Sequence, residues 1–218
     1  MLVVIEGVDG SGKQTQTKLL YDRLSENMRV RKLTFPDYES DTSTLVKMYL
    51  GGEFGQKPED VNAYVSSSFY AVDRVGSFLK DWKRDYDDGV FILCDRYTTS
   101  NAVHQAGKLS GQEKDDYLDW LFDYEYGLLK LPRPDLVIFL NVPPDISREL
   151  MKNRNNKITG QQQKDIHESN ADFIKKSYEN ALYVAKKCGW KVIDCVRDGA
   201  LRSPEEIGNE IYELVMNI

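Results

Sequence analysis

Apolar residues recur in short, nearly unbroken runs separated by longer amphipathic stretches. The runs over residues 2–5, 90–94, 136–142 and 191–196 stand out, and a weaker one covers 30–35. None alternates cleanly with polar residues, which fits strands buried on both faces. Between them, Tyr21, Leu24 and Met28 share one helical face, and Ile174, Tyr178, Ala181 and Ala185 share another. Ser110-Gly-Gln-Glu113 and Ser203-Pro-Glu-Glu206 both read as capping boxes, the second with Pro204 at the first helical position. Strands alternating with helices predict an α/β fold, a doubly wound and mainly five-stranded parallel sheet flanked by helices.

The length of 218 residues suits one domain over the whole chain, with enough apolar material (41%) for a substantial core. The formal charge of −6 argues against a nucleic-acid duplex as the main partner, so cations that meet a polyphosphate must be local. Cys94, Cys188 and Cys195 have no metal-ligand spacing and read as small buried hydrophobes of a reducing cytoplasm. No apolar run approaches the ~18 residues of a membrane span, and the start carries no leader pattern, so a soluble, cytoplasmic protein is expected.

Doubly wound sheets bind ligands beyond the carboxyl ends of their strands. Four segments therefore matter: residues 7–13, 35–38, 95–97 and 141–145. The first, Gly7-Val8-Asp9-Gly10-Ser11-Gly12-Lys13, follows a strand and opens a helix. Its glycines let successive N–H groups turn inward toward phosphate, and Lys13 would reach the outer phosphates. Such loops carry Ser or Thr next, to bind Mg²⁺, but position 14 is Gln14 and the hydroxyl comes one place later, at Thr15. Asp95 ends an apolar strand, where a carboxylate can hold Mg²⁺ or its waters, and Arg96 beside it suits bidentate phosphate contact. Residues 148–167 are polar, basic at their start and rich in Asn and Gln, which suggests a mobile lid over phosphates.

Transfer to an existing phosphate needs no base, because the acceptor oxygen is already ionised; positioning and charge neutralisation carry the reaction. This chain offers cations and aromatics around the expected cleft and no evident triad. A helix over 58–82 places Val61, Val65, Phe69, Val72 and Leu79 on a core face, with Ser66, Ser67, Tyr70 and Arg74 opposite. That polar face is either solvated or lines the cleft, where Tyr70 would stack on a base and Arg74 donate to its carbonyl. Asn101 can read a pyrimidine edge or merely cap a helix. His104 and His167 lie too far apart in sequence to suggest a metal pair, and His167 reads as a solvated helix residue.

Taken in order, EGVDGSGK, the Phe35-Pro36-Asp37-Tyr38 turn, Tyr70-Ala-Val-Asp73-Arg74, Asp95-Arg96-Tyr97 with Ser100-Asn101, and the 134–144 strand resemble thymidylate kinases of the nucleoside monophosphate kinase group along essentially the whole chain. The resemblance implies a P-loop kinase architecture and Mg²⁺-dependent transfer of the ATP γ-phosphoryl to dTMP, commonly by a homodimer. It implies that Gly7, Val8, Asp9, Gly10, Ser11, Gly12, Lys13, Gln14 and Thr15 cradle ATP. Phe35, Pro36, Tyr38, Tyr70, Arg74, Tyr97, Asn101 and His104, with Asp9 and Arg96, would surround dTMP. Asp95 and Asp9 would stand near the metal. Lys13, Asp9 and Arg96 would be catalytic, joined by lid arginines Arg148 and Arg154 because position 10 is Gly. Gln14, Asn141 (where an acid is frequent) and His104 (where some members carry Tyr) depart from the pattern. Another nucleotide or nucleoside kinase, or a catalytically silent nucleotide-binding protein, are the alternative readings.

Overall fold

The structure is a computed structural model and describes residues 1–151, 166–167 and 170–218. Its centre is a sheet of five parallel strands: β1 (Leu2–Glu6), β2 (Val30–Thr34), β3 (Phe91–Asp95), β4 (Leu136–Asn141) and β5 (Lys191–Asp194), in the order β2-β3-β1-β4-β5. Each strand falls within a residue or two of an apolar run in the sequence. β1 lies in the middle and every one of its residues is buried. Alternate side chains serve opposite faces, as the pleat requires. Val3 and Ile5 join a core with Leu20, Leu24, Ile207 and Ile211, whereas Leu2 and Val4 join one with Phe78, Trp82 and Tyr97. Burying each such aliphatic side chain contributes roughly 1.5–3 kcal/mol before entropy is counted.

Helices cover both faces. α1 (Lys13–Ser25) follows β1; α2 (Thr44–Leu50), α3 (Ala63–Ser77) and α4 (Lys83–Asp87) lie between β2 and β3. α5 (Thr98–His104) and α6 (Gly111–Phe122) follow β3, α7 (Pro144–Met151) follows β4, and α8 (Ala171–Cys188) leads into β5. A small antiparallel ribbon, β6 (Val196–Arg197) and β7 (Ala200–Leu201), precedes α9 (Pro204–Met216). Wider π-helical turns extend α3 over Phe78–Trp82 and α6 over Asp123–Leu128. Among the described residues no helix is long and apolar enough to cross a membrane.

Four sequence expectations are corrected. The 58–82 helix is broken, because Asn62 accepts from the Val65 N–H and starts α3 afresh after a 3₁₀ turn at Pro58–Asp60. Its faces are also partly exchanged: Val61 and Phe69 pack inward as expected, but the rest of the apolar face does not. Ser66, Ser67 and Arg74 are fully buried, while Val65, Val72 and Leu79 stand exposed. Met28 lies beyond the end of α1 and is exposed, so it does not continue the Tyr21–Leu24 face. Cys188, at the end of α8, is exposed, whereas Cys94 and Cys195 are buried as expected.

The two capping signals fare differently. Ser203 accepts from the Glu206 N–H at 3.2 Å, and the Glu206 carboxylate accepts from the Ser203 N–H at 3.0 Å, so both halves of the box form over Pro204. Ser110 precedes α6 but its side chain makes no cap bond. Ser203→Ala is therefore expected to lower the unfolding free energy by about 1 kcal/mol and Ser110→Ala by much less. Urea denaturation of the two variants beside wild type checks this; equal losses would contradict it.

Candidate active site

The carboxyl ends of β1 and β3 are neighbours, with Ile5 paired to Asp95, so the loop after β1 and the Asp95-Arg96 pair meet. The loop turns at Gly10 (φ 79°) and Gly12 (φ 84°), left-handed conformations that glycine adopts without strain. A Cβ at Gly10 would come within 2.5 Å of the Ser147 carbonyl oxygen and 2.8 Å of Met151 Cγ, so the close seating of α7 on the loop also demands glycine. α1 starts at Lys13 and aims its positive end across the loop. Lys13 is buried and its Nζ donates to the Val8 carbonyl oxygen at 2.8 Å. Burial pushes its ammonium pKa down to about 8, with Arg96 adding to the shift and the carboxylates of Asp9, Asp95 and Glu6 opposing it.

A cavity of about 330 Å³ opens over this loop, lined by residues 9–16, Asp95, Leu150, Leu201, Arg202, Pro204 and Ile207. Several of its lining residues hold buried polar atoms without a protein partner: Ser11 Oγ, Gln16 Oε1, Asp95 Oδ1 and Arg202 Nε. Unsatisfied groups of this kind are rare in folded proteins and mark a place built for a polar ligand. Gln14 and Thr15 line the same cavity from exposed positions. An unpartnered Asp95 carboxylate oxygen beside this loop is a hard ligand of the kind that would suit Mg²⁺. Among the described residues no cluster of three or more His, Cys, Asp or Glu could hold a metal unaided. Asp9 is less suited to a metal, because Arg96 Nη2 donates to its Oδ1 at 2.6 Å.

Arg96 follows β3 in a left-handed conformation (φ 69°), which is costly for a non-glycine residue and typical of functional sites. Its Nη1 donates to Ser100 Oγ at 3.1 Å and to His104 Nε2 at 3.0 Å, and lies 3.5 Å from Glu6 Oε1. Glu6, fully buried, also accepts from the Gly7 N–H, Thr99 and Ser100. Burial pushes the Asp9 carboxyl up, but Arg96 and then Lys13 outweigh it and hold Asp9 well below the usual carboxylate range. Burial, then Arg96, keeps His104 neutral, so its Nε2 can accept and its Nδ1 carries the proton. The two histidines, too far apart in sequence to suggest a pair, are neighbours with ring centroids 6.2 Å apart. His167 is buried against Phe173 and Tyr49 rather than solvated, and burial and Lys108 push its pKa down to about 3.

On the third side, Arg74 and Asn101 approach each other through Glu125, which bonds to both. Tyr70 is half-buried, edge-on to Tyr49. Asp73 accepts from the Asp37 N–H and Thr42 Oγ1, which ties the Phe35-Pro36-Asp37-Tyr38 turn to α3. Pro36 and Tyr38 are half-buried on that turn. Phe35 and Tyr97 pack against each other in the core, and the Tyr97 hydroxyl donates to the Pro132 carbonyl oxygen at 3.1 Å. Tyr97 is thus a core residue rather than a substrate contact, since the aromatic after Arg96 turns inward. Arg148 does not join the group: its side chain is 54% exposed and lies 4.0 Å from Asp145. Arg154 lies outside the described residues. Asn141 donates to Asp194 at 2.7 Å and accepts from Tyr178, so an acid there would face Asp194.

The family model for thymidylate kinase matches residues 5–211. The chain belongs to the thymidylate kinase family. It is 30% identical to the thymidylate kinase of Plasmodium falciparum, over 99% of this chain and 90% of that one, and 31% identical to that of Mycobacterium tuberculosis, over 87% of each. The thymidylate kinase structure from Candida albicans shares the fold, with a TM-score of 0.71 at 20% identity over 99% of this chain and 91% of that one. For a thymidylate kinase, the sequence reading missed Glu6, Glu125, Leu201 and Arg202. Glu6 alone carried a local signal, as the residue opening the quoted loop motif. Because burial lowers the Lys13 pKa, kcat/KM for the nucleotide donor is expected to fall as pH rises through about 8. The slope should approach about tenfold per unit, while kcat, read with phosphates already beside the ammonium, holds to higher pH. A kcat/KM profile flat to about pH 9.5 would contradict the assigned environment.

Proposed function

We propose that this thymidylate kinase transfers the γ-phosphoryl of ATP to dTMP, giving ADP and dTDP, in a Mg²⁺-dependent reaction. The observation that carries the reading is Arg96: a guanidinium only 11% exposed and bonded to Asp9, one strand from the phosphate loop and its cavity. In this reading the loop N–H groups, the start of α1 and Lys13 hold the donor phosphates. Leu201 at the end of β7 and Arg202 just after it, with Pro204 and Ile207, also line that cavity and suit a flat base. Asp95 would hold Mg²⁺, which supplies charge neutralisation between the phosphates. Arg96 orients the acceptor phosphate and neutralises the charge that develops on it. No protein base is needed, because the acceptor oxygen is ionised.

Around the acceptor, Tyr70 would stack on the pyrimidine while Arg74 and Asn101 read its edge, with Asp9 and His104 near the sugar. Thymine and uracil differ by one methyl, worth only about 1–3 kcal/mol, so dUMP is expected as a slower substrate. A homodimer is part of the proposal. Val65, Val72 and Leu79, spaced by seven, form an apolar stripe exposed to 43%, 46% and 67%, an arrangement suited to pairing with a second helix. The single-domain organisation, a lid over 148–167 and a cytoplasmic location belong to the same reading.

The direct test is formation of dTDP from ATP and dTMP by the purified chain, with Lys13→Ala and Arg96→Ala beside it. Arg96→Ala is expected to lose at least about 2 kcal/mol of transition-state stabilisation, a drop of about thirtyfold or more in kcat. A near-normal kcat in a variant with an unchanged circular dichroism spectrum would overturn its role.

A further inference from the structure

The two residues placed on the pyrimidine edge come from different helices, yet one carboxylate holds both. Glu125 lies in the π-helical turn Asp123–Leu128 and has no exposed surface. Its Oε2 accepts from Arg74 Nε at 2.7 Å and from Thr98 Oγ1 at 2.7 Å. Its Oε1 accepts from Arg74 Nη2 at 2.5 Å and from Asn101 Nδ2 at 3.3 Å. Both oxygens are doubly occupied. A buried charge pair this well satisfied is tolerable but is no better for stability than apolar packing, so its presence asks for another reason. Wide π turns, which re-aim side chains, are frequent at functional sites.

The reason lies in what remains of the two partners. Arg74 spends Nε and Nη2 on Glu125. Among the described residues its Nη1 has only a long contact, with the Tyr97 carbonyl oxygen at 3.4 Å, and keeps a donor to offer. Asn101 spends Nδ2 on two acceptors, Glu125 Oε1 and the Ser67 carbonyl oxygen, each at 3.3 Å. Those acceptors dictate the sense of the amide: turned over, its oxygen would face two other oxygens. With Nδ2 held inward, Oδ1 is left to accept. The pair therefore presents one donor and one acceptor.

A pyrimidine with a carbonyl at C4 presents an acceptor there and a donor at N3–H. A 4-amino pyrimidine presents a donor at C4 and an acceptor at N3. Only the first is complementary. We propose that Glu125 is a specificity-determining positioning residue, which fixes the polarity of Asn101 and the aim of Arg74 so that 4-oxo pyrimidine monophosphates are accepted and 4-amino ones rejected. This rests on the reading above that Arg74 and Asn101 face the base. Sites built from fixed hydrogen-bonding groups discriminate far more strongly than sites that sense only a methyl, because the wrong ligand leaves buried polar groups unpaired.

The test compares kcat and KM for dTMP, dUMP and dCMP in wild type, Glu125→Gln and Glu125→Asp, with calorimetric Kd values for the same nucleotides and circular dichroism melts. The Gln amide supplies a donor where Asn101 needs an acceptor, so the Asn101 amide can turn over. Glu125→Gln is expected to raise the dTMP KM by about tenfold or more and to narrow the dTMP-over-dCMP preference at least as much, mainly through KM rather than kcat. dUMP should follow dTMP, and Glu125→Asp, which keeps the charge for Arg74 on a shorter arm, should lie between. An unchanged preference in a folded variant overturns the proposal, as does a loss that falls equally on all three nucleotides. Where the Gln variant does not fold, the Asp variant decides on the same criteria. The calorimetric preference is independent of turnover. A wild type that binds dTMP selectively but does not phosphorylate it would refute the proposed reaction and leave the role of Glu125 to the Kd comparison.

Discussion

The site is organised around one nearly enclosed cation. The Arg96 guanidinium bonds to Asp9 at 2.6 Å, lies 3.5 Å from Glu6 and reaches both Ser100 and His104. Without it the fully buried Glu6 carboxylate would lose a cationic neighbour in low dielectric, where an uncompensated ion costs several kcal/mol. With it, Asp9 stays ionised, Glu6 anchors the first glycine of the phosphate loop and the N-terminal turn of α5, and His104 is held neutral. The left-handed backbone at Arg96 is the local cost of turning the guanidinium back across the strand ends. In a chain with net charge −6, Arg96 and Lys13 are thereby held together beside the loop, among the carboxylates of Glu6, Asp9 and Asp95.

A second cation, Arg74, is organised on the same principle from the other side, by Glu125. Burial alone would lower the Arg74 pKa, and Glu125 outweighs it, so its charge is secure. Both guanidiniums are preoriented by carboxylates that themselves take bonds from neighbouring helices. The cations then have no side-chain entropy left to lose when a nucleotide arrives, which is what preorganisation contributes to binding.

Local pattern in the sequence made the scaffold legible. All five apolar runs became strands, but only the inner β1, β3 and β4 are buried on both faces as unbroken hydrophobicity implies; the edge strands β2 and β5 keep mostly exposed or half-buried positions. The glycine spacing of residues 7–13 announced the loop because those φ values and the approach of α7 tolerate little else. Contacts between distant segments were not legible. Glu125 meets Arg74 across 51 residues, and His104 meets His167 across 63 positions of the numbering, so no window of sequence contains either pair. The partial exchange of faces on α3 has a different cause. Val65, Val72 and Leu79 form an apolar stripe indistinguishable from a core face, but the buried side, toward Gln105, Tyr117 and Glu125, is taken by Ser66, Ser67 and Arg74, whose polar groups are satisfied inside. Periodicity reports that a face is apolar, not what covers it. Gln14 is the converse case. A single residue out of pattern left the loop intact, since the cradle is backbone and Lys13.

The account stands on the acceptor being an ionised phosphate rather than a hydroxyl, since the site joins cations to the phosphate loop and assigns no base. Competition between equimolar thymidine and dTMP, with ATP and Mg²⁺, measures this most directly. The prediction is that dTDP accumulates and thymidine is left unconsumed. Conversion of thymidine to dTMP faster than dTMP to dTDP would contradict it.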